Sequence, residues 1–331
     1  MCSTEKKADF HSLDPDAILR IVEDALGKKM SALCRPYTSY INRVYELQTQ
    51  EGENIVAKFY RPGRWKEQAI QEEHNFLLEL KEAEIPVIAP LVLSNGSTLG
   101  HDENVYFVVF PKKGGRTCDE LQDNDWLDMG RLLGRVHQVG ASHPAKNRVV
   151  WTPTKVTAGQ VEYMLENDFV PKSIEAEYKK ITRDFIKLAE PIFADVSLLR
   201  IHGDFHFANF IFRPGESFYM IDFDDMAMGP TVQDLWMLLP GYRNEAQREI
   251  NLFVEGYETF RNFPYSELKL IEILRAMRYI HFCAWCAYQV QDGGFTQGNP
   301  LWGTENYWRG EIRDLEKQIH RIHAELSHFS P

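Results

Sequence analysis

The chain has 331 residues, 44% hydrophobic and 26% charged, the proportions of a globular protein with room for about two domains. Lys and Arg total 37 against 48 Asp and Glu, a net charge of −11 that argues against an electrostatic nucleic-acid binder. No long apolar run is present and the start, MCSTEKKADFHSLDPDAI, has no signal-peptide apolar region, so neither a membrane span nor export is expected.

In chain order, DPDAILRIVEDALG predicts a helix over 14–27, with Asp14 as cap, Pro15 in the first turn and Gly27 closing it. Val44–Leu47 and Ile55–Tyr60 read as two strands joined by the turn Glu51-Gly52-Glu53-Asn54, a hairpin with Lys58 near its end. A lysine in the apolar string IVAKF must reach the surface or find an anion, and a strand lysine that contacts nucleotide phosphates is the functional reading. Residues 66–83 form an amphipathic helix whose acids Glu72 and Glu73 compete as the lysine's partner. Glu72 is preferred, because it lies four residues before the core-facing Phe76.

Val105–Phe110 is an apolar strand stopped by Pro111-Lys112-Lys113-Gly114-Gly115, which reads as an interdomain hinge. This divides the chain into a nucleotide-binding lobe, 1–111, and a catalytic and substrate lobe, 112–331. Beyond the hinge helices dominate: DWLDMGRLLGRVHQVG with a packed His137, then 156–167, 173–190, the stretch before and through HFCAWCAY, and 306–328 after the loop DGGFTQGNPLWG. The last helix is expected to pack on its own domain, leaving a monomer. The cysteines stand at 2, 34, 118, 283 and 286. Cys283 and Cys286 share a face of an apolar helix, so they read as buried and reduced, in a reducing cytoplasm.

The chemistry concentrates in RIHGDFHFANFIFRPGESFYMIDFDDMAMGPTVQDLWMLL. Two apolar runs, Leu198–Ile201 and Phe218–Ile221, read as buried strands folded back on each other about Arg213-Pro214-Gly215. Their loops carry Asp204, Asn209 and Asp222. Carboxylate and amide oxygens suit Mg²⁺, which is commonly completed by substrate phosphates. The spacing Asp-x-x-x-x-Asn is that of a kinase catalytic loop, where the Asp receives the acceptor hydroxyl and the Asn holds metal. Asp234 either braces that loop through its N–H groups or only favours the start of its own helix.

SYINRVYEL, IVAKFYRPGRW, EEHNF, HGDFHFANF, DFDDMAMGPTVQDLWMLL and LRAMR, between about residues 39 and 278, resemble the bacterial stress response kinase A family. That family belongs to the aminoglycoside-phosphotransferase-like branch of the protein-kinase-like superfamily. The resemblance implies an α+β fold with a small β-rich lobe and a larger helical one, and an ATP- and Mg²⁺-dependent cytoplasmic Ser/Thr protein kinase that also phosphorylates itself. It implies Asp204 as proton acceptor, Asn209 and Asp222 as Mg²⁺ ligands, and Ser39 in the loop over the ATP phosphates. TSYINR replaces the glycine-rich loop of protein kinases, DFD replaces DFG, and no APE segment follows.

Three rival readings remain. The acceptor could be a small alcohol such as an aminoglycoside, choline or homoserine, with acids 222, 224 and 225 offering a face for a cation. GDFH could belong to a metallophosphoesterase, although no further ligand cluster follows. A catalytically inactive scaffold is disfavoured by the presence of Lys58, Asp204, Asn209 and Asp222 together.

Overall fold

A computed structural model describes residue 10 and residues 13–290 and 300–328. Most of the loop expected over 292–303 lies outside the described residues, as do Cys2 and nearly all of the chain's first dozen residues. Helix α1, Pro15–Leu26, begins where Asp14 Oδ1 accepts the Ala17 N–H at 2.8 Å and ends at Gly27, whose φ of 65° is left-handed. The predicted hairpin is strand β2, Arg43–Thr49, against β3, Asn54–Phe59.

These strands belong to a five-stranded antiparallel sheet in the order β1-β2-β3-β5-β4, with β1 at Met30–Tyr37, β4 at Gly100–Asp102 and β5 at Val105–Pro111. Sequence reading missed β1. It is an edge strand with a proline, Pro36, and its register shifts between Met30 and Cys34, so no alternation marks it. Ile18 and Val22 of α1 pack with Leu47, Ala57, Phe59 and Val109 of the sheet into one core. Helix α2, Glu67–Glu82, follows β3.

The chain forms two compact units: Met1–Glu120 with Ala145–Arg148 and Phe207–Asp224, and Leu121–Pro144 with Val149–His206 and Asp225–Pro331. Residues after Pro111 therefore stay with the first unit as far as Glu120. Arg116 exchanges main-chain hydrogen bonds of 3.1 and 2.9 Å with Phe212, which explains this.

The second unit holds helices α3, Asp123–Gly140; α4, Ala158–Glu166; α5, Glu175–Ala189; α6, Gln233–Trp236; α7, Gln247–Tyr257; α8, Ile271–Val290; and α9, Glu305–His328. Helices α3 and α7 cross closely: a Cβ on Gly130 would stand 2.0 Å from the Phe253 carbonyl oxygen, so only glycine fits there. Ile312, Leu315 and Ile322 of α9 are buried. Cys283 and Cys286 are buried in α8, and the four described cysteines are all reduced. Among the described residues no helix is long and apolar enough to cross a membrane.

The two runs flanking the chemistry do not pair with each other. Leu199–Ile201, strand β6, pairs with β9, Ala227–Gly229, in the second unit. Phe218–Met220, strand β8, pairs with β7, Phe210–Phe212, in the first. The Arg213-Pro214-Gly215 turn joins β7 to β8. A three-residue strand starting directly after Asn209 is too short to show a period, so its partner was misassigned.

Candidate active site

In the first unit, β3 places Lys58 opposite Val44 of β2 and Val108 of β5, well inside the sheet. The lysine is buried, and its Nζ lies 3.1 Å from Asp222 Oδ1, 3.2 Å from Asp224 Oδ1 and 3.9 Å from Glu73 Oε1. Burial alone would lower the Lys58 ammonium, but the charges of Asp222, Asp224 and Glu73 outweigh it and hold the group well above its ordinary value. The lysine is thus a cation held among three carboxylates from two places in the sequence.

Glu73, rather than the expected Glu72, is the helical partner. The buried stripe of α2 runs through Ile70, Glu73, Leu77 and Leu80, and Phe76 lies at its edge, so alignment with Phe76 pointed to the wrong acid. Glu72 instead accepts the Lys146 and Asn147 main-chain N–H groups, each at 2.9 Å, and ties residues 145–148 to the unit. Burial pushes the Glu73 carboxyl up, against the pull of Lys58. Behind Glu73, Tyr60 Oη lies 3.3 Å from its Oε1 and 3.0 Å from His74 Nε2, and His74 Nδ1 meets Thr98 Oγ1 at 2.9 Å.

Asn209 and Asp222 lie at the same end of the β7–β8 ribbon: Phe210 faces Met220, and the Ile221 N–H donates to the Asn209 carbonyl at 3.0 Å. Asp222 has a φ of 59°, a left-handed conformation that aspartate tolerates better than most residues. Its side chain is 54% exposed, so one carboxylate meets both Lys58 and solvent. Asp224 is not an open face for a cationic acceptor. It is buried, paired with Lys58 and Arg64, and held by Asn42 Nδ2 at 3.1 Å, while its carbonyl accepts from Arg148. Asn42 ends the 38–42 loop between β1 and β2, in which Ser39 is half-buried.

Asp204 belongs to the second unit, in the turn after β6. Asp234 Oδ2 accepts the His202 N–H at 2.7 Å and Oδ1 the Gly203 N–H at 2.8 Å, so of the two readings of Asp234 the brace is the one found. Gln233, missed in the sequence, adds a 2.8 Å bond from Nε2 to the Gly203 carbonyl. The turn needs glycine: Gly203 has φ 87°, and a Cβ would stand 2.2 Å from the Asp225 carbonyl oxygen. His137 is structural, its ring bonded to Tyr257 Oη and Asp234 Oδ2, both at 3.1 Å.

Arg278 Nη1 reaches Asp204 Oδ1 at 3.1 Å and His206 Nε2 lies 3.3 Å from Oδ2. Burial would raise the Asp204 carboxyl, but the bond from His206 and the charge of Arg278 hold it well below the usual range. It is an oriented anion at any neutral pH. Among the described residues no three His, Cys, Asp or Glu side chains form a ready-made metal cluster. Asn209 and Asp222 offer the sparse oxygen set that suits Mg²⁺, an ion that keeps waters and takes phosphate oxygens.

Residues 34–271 match the phosphotransferase enzyme family. Stress response kinase A of Escherichia coli is 38% identical over 310 residues, 90% of each chain. The serine/threonine protein kinase RdoA of Salmonella typhimurium is 34% identical over 333 residues, 97% of each chain. The chain belongs to the phosphotransferase enzyme family and, within it, to the stress response kinase A family. It is a phosphotransferase of the kinase type.

Solved structures show the same fold. An amicoumacin kinase in complex with AMP-PNP and Ca²⁺ aligns with a TM-score of 0.71 at 15% identity, covering 95% of this chain and 94% of that one. Spectinomycin phosphotransferase in complex with ADP and spectinomycin aligns with a TM-score of 0.64 at 14% identity, covering 95% and 98%. The expected α+β, protein-kinase-like fold is therefore the fold found.

Proposed function

We propose that this enzyme transfers the γ-phosphoryl group of ATP to serine or threonine hydroxyls of proteins, its own included, in a bacterial stress response in the cytoplasm. The observation that carries the reading is Lys58, buried in its strand, paired with helical Glu73 and with Asp222 at the end of a ribbon that also bears Asn209. The functional division follows the chain: 1–111 binds nucleotide and 112–331 supplies catalysis and the acceptor surface, the enzyme acting as a monomer.

Lys58 positions the ATP phosphates and Ser39 covers them from the 38–42 loop. Asn209 and Asp222 would hold Mg²⁺, which would supply neutralisation of the phosphate charge. Asp204 orients the acceptor hydroxyl. Its oxygen bonds to the γ-phosphorus, the bond to the β–γ bridging oxygen breaks with ADP leaving, and the hydroxyl proton passes to the Asp204 carboxylate. Such catalysis is positioning and electrostatics rather than covalent chemistry.

The protein acceptor is supported by the serine/threonine kinase name of a relative 34% identical to this chain. A small alcohol is the second reading, supported by neighbours in fold that are an amicoumacin kinase and a spectinomycin phosphotransferase. The burial of Asp224 removes one carboxylate on which a cationic acceptor would depend. Labelled ATP and Mg²⁺, offered with the enzyme alone, a generic protein and a panel of small alcohols, separates the two. Label on protein serine or threonine supports the first reading; label confined to a small alcohol supports the second.

A further inference from the structure

The string LRAMR in α8 holds two arginines one helical turn apart that the structure uses differently. Arg275 is committed to the fold: Nε meets Glu272 Oε2 at 3.2 Å, and Nη2 donates to the Gly241 carbonyl at 2.8 Å. Arg278, one turn on, extends to Asp204, where Nη1 lies 3.1 Å from Oδ1. The contact is an ion pair, and a guanidinium carries five N–H donors in a rigid fork, more than one carboxylate oxygen can take up. The Arg278 side chain is 29% exposed and that of Asp204 20%, so the pair meets solvent and is open to a substrate.

Phosphoryl transfer spreads negative charge over three equatorial oxygens with the attacking and leaving oxygens in line. A hydroxyl bound to Asp204 lies about 3 Å from it, which sets the phosphorus within about 5 Å of the carboxylate. The guanidinium lies beside that carboxylate on one side and His206 on the other. We propose that Arg278 is a catalytic residue, bridging Asp204 to the transferring phosphoryl group and neutralising the charge that develops on it. The inference rests on the reading of Asp204 as the acceptor-binding carboxylate. Arg278 holds the hydroxyl's partner and the phosphoryl group in one frame, as an arginine finger does, but from within the same chain.

The test compares wild type with Arg278→Lys, Arg278→Ala and Asp204→Asn in Mg²⁺-dependent transfer from labelled ATP. Binding of AMP-PNP and of ADP with aluminium fluoride is measured beside it. Arg278→Ala is expected to lose about 100- to 1000-fold in kcat with little change in KM for ATP. It should bind ADP with aluminium fluoride at least tenfold more weakly while AMP-PNP affinity is unchanged, and guanidinium ion in the buffer should restore at least tenfold of the lost rate. Arg278→Lys, which keeps the charge and loses the fork, should fall between, and it decides the matter if Arg278→Ala does not fold. Transfer within about threefold of wild type in Arg278→Lys and Arg278→Ala, or equal weakening of both nucleotide complexes, overturns the inference. Undiminished transfer by Asp204→Asn would instead remove the acceptor-site reading on which it stands.

Discussion

Lys58 sits among three carboxylates that two arginines help to balance, whereas Asp204 is set in place by main-chain N–H groups and a buried aspartate one helix away. In the first region Lys58, Arg64 and Arg148 face Glu73, Asp222 and Asp224, and each side chain is placed by the charge of its neighbours. In the second, Asp234 and Gln233 fix the Gly203 peptide, and the position of Asp204 follows from the backbone. The difference teaches where each region is fragile. A charge cluster fails when one sign is removed, because its partners stay buried and unpaired; a braced turn fails when its acceptor is removed, because N–H groups are stranded.

The largest effect should separate chemistry from folding at Asp222. If Asp222 is the metal carboxylate proposed, Asp222→Asn is expected to lower kcat/KM by about 1000-fold or more. Asp222→Gly should be equally inactive yet up to about 1 kcal/mol more stable than Asp222→Asn, because glycine accepts the left-handed backbone. Chemical denaturation beside the transfer assay reads both.

Lys58→Met takes the shared cation from Glu73, Asp222 and Asp224, and because Asp224 keeps Arg64 and Asp222 keeps solvent it should destabilise the protein by about 1–3 kcal/mol in urea unfolding. Asp234→Ala should cost about 2–4 kcal/mol by leaving the His202 and Gly203 N–H groups without their acceptor, and the wandering turn should lower kcat as well. If Asp234→Ala lost stability alone, with kcat intact, the idea that the brace positions Asp204 would fail. A double-mutant cycle sharpens the helix assignment: Lys58 and Glu73 should couple by about 1 kcal/mol or more, and Lys58 and Glu72 by about zero.

A further effect is a pH slope. Burial and the nearby charges of Lys58 and Arg148 bring the His74 imidazole down from 6.5 to about 3. The unfolded chain therefore takes up a proton that the folded one refuses, so this group's contribution is intact above pH 6.5 and is lost as pH falls toward 3. His74→Gln should flatten the dependence of stability on pH in that window by up to about 1.4 kcal/mol per pH unit.

The contrast between the two regions also explains what could be read from the sequence. Asp204, Asn209, Asp222 and Lys58 stand out in the sequence because residue type and spacing single them out without tertiary detail, and the structure adds that Lys58 pairs with Asp222. Glu73 competes with Glu72 on the sequence alone, and alignment with one core residue, Phe76, favours the wrong acid where the whole buried stripe is needed. Gln233 carries no signal of its own, since its partner is a backbone carbonyl thirty residues back. The burial of Asp224 depends on Arg64 and Asn42, which stand far off in the chain, so the string DFDD read as an acidic surface. Strands β1 and β7 were lost to a register shift and to brevity, both invisible to periodicity.

The proposed division of labour assigns nucleotide and metal to the Lys58–Asp222 region and the acceptor to the Asp204 turn. Its most direct test is AMP-PNP affinity with and without Mg²⁺, paired with single-turnover transfer, in wild type, Asp222→Asn and Asp204→Asn. Asp222→Asn should lose the Mg²⁺ dependence of binding together with transfer, and Asp204→Asn should bind like wild type and transfer nothing. Mg²⁺-dependent binding that survives in Asp222→Asn, or transfer that survives in Asp204→Asn, would contradict the account.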